Sequence, residues 1–230
     1  MLDTVLRGFE EIFQHHLVIS ISGESGSGKT SLALFLVGQS LSNGDSCFWI
    51  QVSEPFPKNR LISMYQHNKE KFKFLLNNIY IAPNKVIPSY SEQYNLFENI
   101  TSENFLFPPD LRFIVIDNIS HHLRYEISKI DDIKKRTFIL DDFYDNIISP
   151  LILRCQREDI TLILIHEVSF HAKLQKTVPF FHSLYNRIKG VNIFLRKSLN
   201  SKRRLMEIEM GNKATSLHFR LDNQGFIFST

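Results

Sequence analysis

Gly23-Glu24-Ser25-Gly26-Ser27-Gly28-Lys29-Thr30 is the stretch on which the reading of this chain turns. It fits the pattern G-x-x-x-x-G-K-[ST], in the setting that pattern requires. A β-rich run, Leu17 to Ser22 (LVISIS), precedes it, and a helical segment, Lys29 to Leu41, follows. Glycines in such a loop let backbone N–H groups turn inward onto a phosphate, and the dipole of the following helix adds partial positive charge there. An ordinary Gly/Ser turn that only caps a helix has no need of the Lys-Thr pair. Lys29 is therefore expected to bridge the β- and γ-phosphates of a nucleotide and Thr30 to offer its hydroxyl to Mg²⁺.

Working outward, the elements alternate. Cys47 to Val52 reads as a strand, Lys58 to Leu76 as a helix and Asn78 to Ala82 as a strand; a mixed segment follows, then the nearly all-apolar strand Arg112 to Ile116. Asp117, the carboxylate ending that strand, is the candidate second ligand of Mg²⁺, the other reading being a cap on the next helix. A long helix follows. Leu140, Phe143, Tyr144, Ile147, Ile148, Leu151 and Cys155 form one apolar stripe on it, with Pro150 expected to kink it. Ile160 to Ile165 is the next buried strand. Beyond Gly190 the period changes to two: Val191, Ile193 and Leu195, then Met206, Ile208 and Met210, then Leu217, Phe219 and Leu221. These read as antiparallel strands with turns at 198–201, 211–212 and 222–225. The expected fold is α/β: a mostly parallel central sheet flanked by helices, with antiparallel C-terminal strands.

At 230 residues, 43% hydrophobic and 22% charged, the chain is expected to fold as a single core domain, residues 1–230. It has no membrane-length apolar run and no secretory signal pattern, so a cytoplasmic location is expected. Cys47 and Cys155 are expected as buried reduced thiols, and the pairs His15-His16 and His121-His122 lack metal-binding spacing, adjacent His side chains pointing apart. The charge is unevenly divided. Residues 171–230 hold eleven Lys/Arg against three Asp/Glu, a balance of +8, whereas residues 1–170 balance at −5. That asymmetry suits either a polyanion-binding face or a solvated basic hairpin.

With these residues placed, the chain resembles the RecA-family recombinases, in particular their short archaeal paralogues, over nearly its whole length. Trp49-Ile50-Gln51-Val52-Ser53-Glu54 stands where the family reads YIDTEG. Asp117-Asn118-Ile119-Ser120 through Arg124 stands at its Asp-Ser-Ile-Thr stretch, and His166-Glu167-Val168 at its Asn-Gln-Val. The resemblance implies a RecA-like P-loop NTPase fold and binding of ATP and Mg²⁺ by Gly23, Glu24, Ser25, Gly26, Ser27, Gly28, Lys29 and Thr30, with Asp117 on the metal. It also implies action in DNA recombination and repair with weak or partner-dependent hydrolysis, Lys29 and Glu54 being the candidate catalytic residues. Its implied partners are single-stranded DNA and a recombinase or paralogue protein. Only Met1 to His16 precede the first strand, so the family's N-terminal helical DNA-binding domain is not expected.

Three departures stand out. In the simplest alignment the family's water-polarising Glu falls on Ser53, with Glu54 one residue late, and one step along a strand reverses the face unless a bulge intervenes. Glu167 replaces the family's γ-phosphate-sensing Gln, where a carboxylate repels phosphate unless it is protonated or paired. The Gly-Gly of the DNA-contacting loop is replaced by a region containing Lys173, Lys176, Pro179, Phe180, Phe181 and His182. Lys173, Lys176, Phe180, Phe181, Lys202, Arg203 and Arg204 are the candidate nucleic-acid contacts, aromatic rings for stacking and cations for phosphate. Two rivals remain open: a non-enzymatic nucleotide-gated docking or heterodimer subunit, and a signalling ATPase of the related KaiC-like branch.

Overall fold

The computed structural model describes residues 18–171, 175–180, 182–198, 203–222 and 224–229. In chain order these form β1 (Val18–Gly23), α1 (Lys29–Ser40), β2 (Ser46–Gln51), α2 (Lys58–Tyr65), α3 (Lys69–Asn78), β3 (Ile79–Ala82), α4 (Tyr90–Thr101), β4 (Leu111–Asp117), α5 (His121–Ser128) and α6 (Ile133–Phe143). A π-helical turn (Tyr144–Ile148) leads into α7 (Ser149–Arg157), β5 (Thr161–His166), β6 (Val168–His171), β7 (Lys176–Pro179), α8 (His182–Tyr185), β8 (Val191–Lys197), β9 (Arg204–Met210), β10 (Lys213–Asp222) and β11 (Gly225–Ser229).

The apolar strands are buried on both faces, which is why they read as runs rather than alternations. Ile19, Ile21, Cys47, Trp49, Phe113, Val115, Ile163 and Ile165 enter one core with α1. Their strand neighbours Val18, Phe48, Ile50, Ile114, Ile116, Leu162 and Leu164 enter a second core with Phe97, Phe143, Ile147 and Leu151 on the opposite face. The sheet has nine strands in the order β11-β10-β9-β8-β1-β5-β4-β2-β3. β8, β1, β5, β4, β2 and β3 run parallel, and β9, β10 and β11 continue antiparallel. The expected α/β architecture is therefore present. One strand differs in kind: β8 is antiparallel only to β9 and pairs in parallel with β1, so the meander grows directly from the central sheet. β6 and β7 form a separate two-stranded hairpin.

Helix boundaries depart from the periodicity in three places. The expected helix over 58–76 is two helices, broken between Tyr65 and Lys69, with the Asn68 side chain accepting from Lys71 N at 2.9 Å to cap the second. An Asn cap competes effectively with continuation of the preceding helix. The mixed segment contains α4, started by Ser89, whose hydroxyl accepts from Glu92 N at 3.2 Å. Ahead of Pro150 the chain widens into the π turn, which accommodates a residue that lacks an N–H and crowds the carbonyl four residues back.

α1 is enclosed. Every residue from Ser31 to Gly38 is buried, because the sheet lies on one side of the helix and the meander curls over the other. Phe35 meets Phe226 and Phe228 with ring centroids 5.8 and 5.9 Å away. This wrapping brings the C-terminal strands to the loop before α1. Cys47 and Cys155 are buried free thiols, and burial pushes both pKa values up, Cys155 to about 12.

Candidate nucleotide-binding site

Six parallel strands put their carboxyl ends on one edge of the sheet, and the loop after β1 opens there, where helices leave in different directions. Gly26 and Gly28 have φ of 67° and 108°, a region that suits glycine, and Ser27 N between them donates to Glu24 O at 3.0 Å to close the turn. The Lys29 ammonium folds back on its own loop, donating to the carbonyls of Gly23 at 2.8 Å and Glu24 at 3.1 Å. Burial lowers its pKa, with Asp117 and Glu167 opposing. The Thr30 hydroxyl donates to Asp117 Oδ2 at 2.8 Å, joining α1 to the end of β4. Burial raises the Asp117 carboxyl to about 6, the Thr30 contact acting against it. A cavity of about 540 Å³ opens over these groups, lined by the loop together with Ser53, Glu54, Asp117, Asn118 and Glu167. Ser27 Oγ is buried behind the loop with no hydrogen-bond partner among the described residues.

Both Ser53 and Glu54 line this cavity, so the choice between them is settled neither by strand alternation nor by a bulge. β2 ends at Gln51 and the chain bends. The N–H groups of Val52 and Ser53 both donate to the Asp117 carbonyl, at 2.7 and 3.4 Å. The buried Gln51 amide fixes the bend, donating to Pro83 O at 2.6 Å and accepting from Phe56 N at 2.7 Å. Glu54 is exposed at the rim and Ser53 half-buried. Gln51 is a positioning residue that sequence reasoning missed, although a polar side chain inside an apolar strand was its signal.

Glu167 is paired. It accepts from Arg124 Nη1, and His121 Nδ1 lies 3.7 Å from its other oxygen. The Arg124 guanidinium in turn covers the Phe180 ring at 4.2 Å, and Phe180 N donates to Glu167 O at 2.9 Å. The Glu-for-Gln departure thus comes with a cation that neutralises it. His121 and His122 do not point apart: their rings meet edge-on, centroids 4.9 Å apart, yet their outer partners differ, since His122 Nε2 lies 2.7 Å from Ile87 O.

Among the described residues, the candidate nucleic-acid contacts Lys176 and Arg204 lie on opposite faces of the sheet. Lys173, Phe181 and Lys202 lie outside the described residues. Lys176 opens β7 and lines a second cavity of about 370 Å³ with Ser20, Ser22, His166 and His182, on the sheet face opposite α1. Arg203 is exposed. Arg204 turns to the phosphate loop, donating to Gly26 O at 2.7 Å.

Strand order, loop and the Thr30–Asp117 contact define a RecA-like P-loop fold with a cavity at the carboxyl edge of its sheet. Among proteins of that class the resemblance is to RadB. The chain is 26% identical over 207 residues to the "DNA repair and recombination protein RadB" of Methanococcoides burtonii, covering 88% of this chain and 83% of the relative. Its fold matches a crystal structure of the RadB recombinase with a TM-score of 0.67, at 21% identity, over 91% of this chain and 89% of the other. No family model matches the chain.

Proposed function

We propose that this chain is one RecA-like ATPase core that binds Mg·ATP, hydrolyses it weakly or only with a partner, and acts in DNA recombination and repair beside a recombinase in the cytoplasm. The observation that carries the reading is the Thr30–Asp117 contact, which joins the two Mg²⁺-binding positions of a P-loop site from residues 87 apart in sequence. The residues present suit the group: a glycine loop at positive φ before a helix N-terminus, a lysine parked on loop carbonyls, and a hydroxyl–carboxylate pair. Bound Mg·ATP would supply the polarised γ-phosphate and the metal's charge. Lys29 would exchange its carbonyl contacts for phosphate oxygens and stabilise the charge that develops on transfer. Thr30 and Asp117 would hold the metal, and Glu54 at the rim would orient water. Arg124 keeps the Glu167 charge neutralised and away from the phosphates. The relative named for DNA repair and recombination supports the cellular role, and the basic balance of residues 171–230 supports contact with single-stranded DNA. No helix among the described residues is long and apolar enough to cross a membrane.

Steady-state ATPase assays with and without single-stranded DNA test this reading. Turnover well below the roughly 1–100 s⁻¹ of efficient phosphoryl transfer, raised by DNA or a recombinase, is the expected result. ATP binding with no hydrolysis under any condition would favour a docking subunit, and fast hydrolysis by the protein alone would refute the proposal.

A further inference from the structure

The final rung of the β8–β9 ladder pairs Lys197 with Arg204. Both lie on the face of their buried neighbours Leu195 and Met206, which is the face that carries α1. Because the meander curls over α1, this rung comes to rest on the phosphate loop. Arg204 Nη1 donates to Gly26 O at 2.7 Å, and a Cβ added to Gly28 would meet Leu221, Phe226 and Arg204 within 4 Å. A Cβ added to Gly26 would lie 3.2 Å from Lys197 Nζ, so the ammonium stands directly over that glycine.

Neither cation is in an ion pair with a carboxylate among the described residues. The contrast is local. Arg196, next in sequence and on the other face, pairs with Glu207 at 2.7 Å. Lys197 is moreover close enough to Lys29 for the like charges to repel, and it contributes to lowering the Lys29 pKa. Two cations with no ion-pair partner of their own among the described residues, set against the loop that carries Lys29, repel one another, and a polyanion at the loop offsets that repulsion.

We propose that Lys197 and Arg204 serve the nucleotide site of their own chain, Lys197 as a further cation for the polyphosphate and Arg204 as a positioning residue that holds the Gly26 carbonyl outward. The inference rests on the ATP-binding reading above. It makes the C-terminal meander part of the phosphate site and withdraws Arg204 from the DNA-facing set. Arg204 acts through the backbone: with its carbonyl held from outside, the loop keeps its N–H groups turned to the phosphates. Lys197 acts through charge, so its effect grows with the number of phosphates.

Calorimetric titration of the full chain with Mg·ATP and Mg·ADP separates the roles. A charge-assisted contact corresponds to about tenfold to a hundredfold in affinity. Lys197→Glu is expected to weaken Mg·ATP by at least about tenfold and Mg·ADP less, lowering the ATP-to-ADP preference, while Lys197→Arg keeps it. Arg204→Ala is expected to weaken both nucleotides by one common factor, with partial rescue by Arg204→Lys. Melting temperature serves as the folding control, and Lys197 is exposed, so its variants fold. If wild type binds and Lys29→Ala does not, yet Lys197→Glu leaves both affinities unchanged, the inference fails while the site reading stands. If wild type binds no nucleotide, both fail. Unchanged nucleotide affinity with diminished, salt-sensitive binding of single-stranded DNA would return the pair to a DNA-facing surface and overturn the proposal.

Discussion

Removing Arg124 tests whether Glu167 needs its partner. The Arg124 and Glu167 side chains are 51% and 30% exposed, so the pair is screened more than a buried one and less than a freely solvated one. Arg124→Ala leaves a carboxylate on the wall of the cavity with His121 3.7 Å away and Lys29 within electrostatic reach. For an effective dielectric of about 40 and a charge separation taken as about 7 Å, repulsion between that carboxylate and one phosphate charge is about 1.2 kcal/mol. A terminal phosphate carries more than one charge, so a loss of about 1–2 kcal/mol is expected, roughly five- to thirtyfold in Mg·ATP affinity. Calorimetry on wild type, Arg124→Ala, Glu167→Gln and the double variant closes a thermodynamic cycle. Glu167→Gln alone should bind ATP at least as well as wild type, and in the Arg124→Ala background it should restore binding. Were the double variant as weak as Arg124→Ala, Arg124 would act on the nucleotide or on Phe180 and not by neutralising Glu167, and the reasoning here would be wrong.

Arg154→Ala should lower the unfolding free energy by about 2–4 kcal/mol in urea, because this buried guanidinium serves the carbonyls of Ile100, Ser102 and Phe105 together and stacks on Phe107; a loss below about 1 kcal/mol would contradict that role. Burial, helped by the Lys29 charge, lowers the pKa of His166 to about 3. The unfolded chain therefore takes up this proton near pH 6.5 and the folded chain only near pH 3, so the stability from its neutral burial is complete above about pH 6.5 and declines with acidification by up to about 1.4 kcal/mol per pH unit. His166→Gln should flatten that part of the denaturation profile, and an unaltered slope would assign it to other groups. Gly38→Ala should destabilise by about 1–3 kcal/mol despite the better helix former, since the new methyl would lie 1.9 Å from the Tyr65 hydroxyl; Tyr65→Phe should relieve part of the loss, and a stabilised Gly38→Ala protein would show that the helices slide apart freely.

The sequence by itself determined the phosphate loop, the strands around it and the carboxylate on β4, because each rests on a short-range pattern: glycines and a lysine at fixed offsets, apolar runs ended by turn residues, and a change of period to two after Gly190. It also located the Glu167 departure. It did not reveal that Arg124, 43 residues earlier, neutralises that carboxylate, since an ion pair between a helix and a distant loop is decided by which strands become neighbours. Whether Ser53 or Glu54 reaches the cavity was open for a similar reason. Alternation holds only while a strand is paired, and β2 stops at Gln51, where a buried amide and the Asp117 carbonyl hold the bend. The break after Tyr65 and the π turn before Pro150 belong to packing and capping, which helical periodicity averages away. Arg204 shows the division most sharply: in the sequence it is one of several cations at a hairpin tip, and only the curl of the meander over α1 sets it against Gly26, 178 residues away.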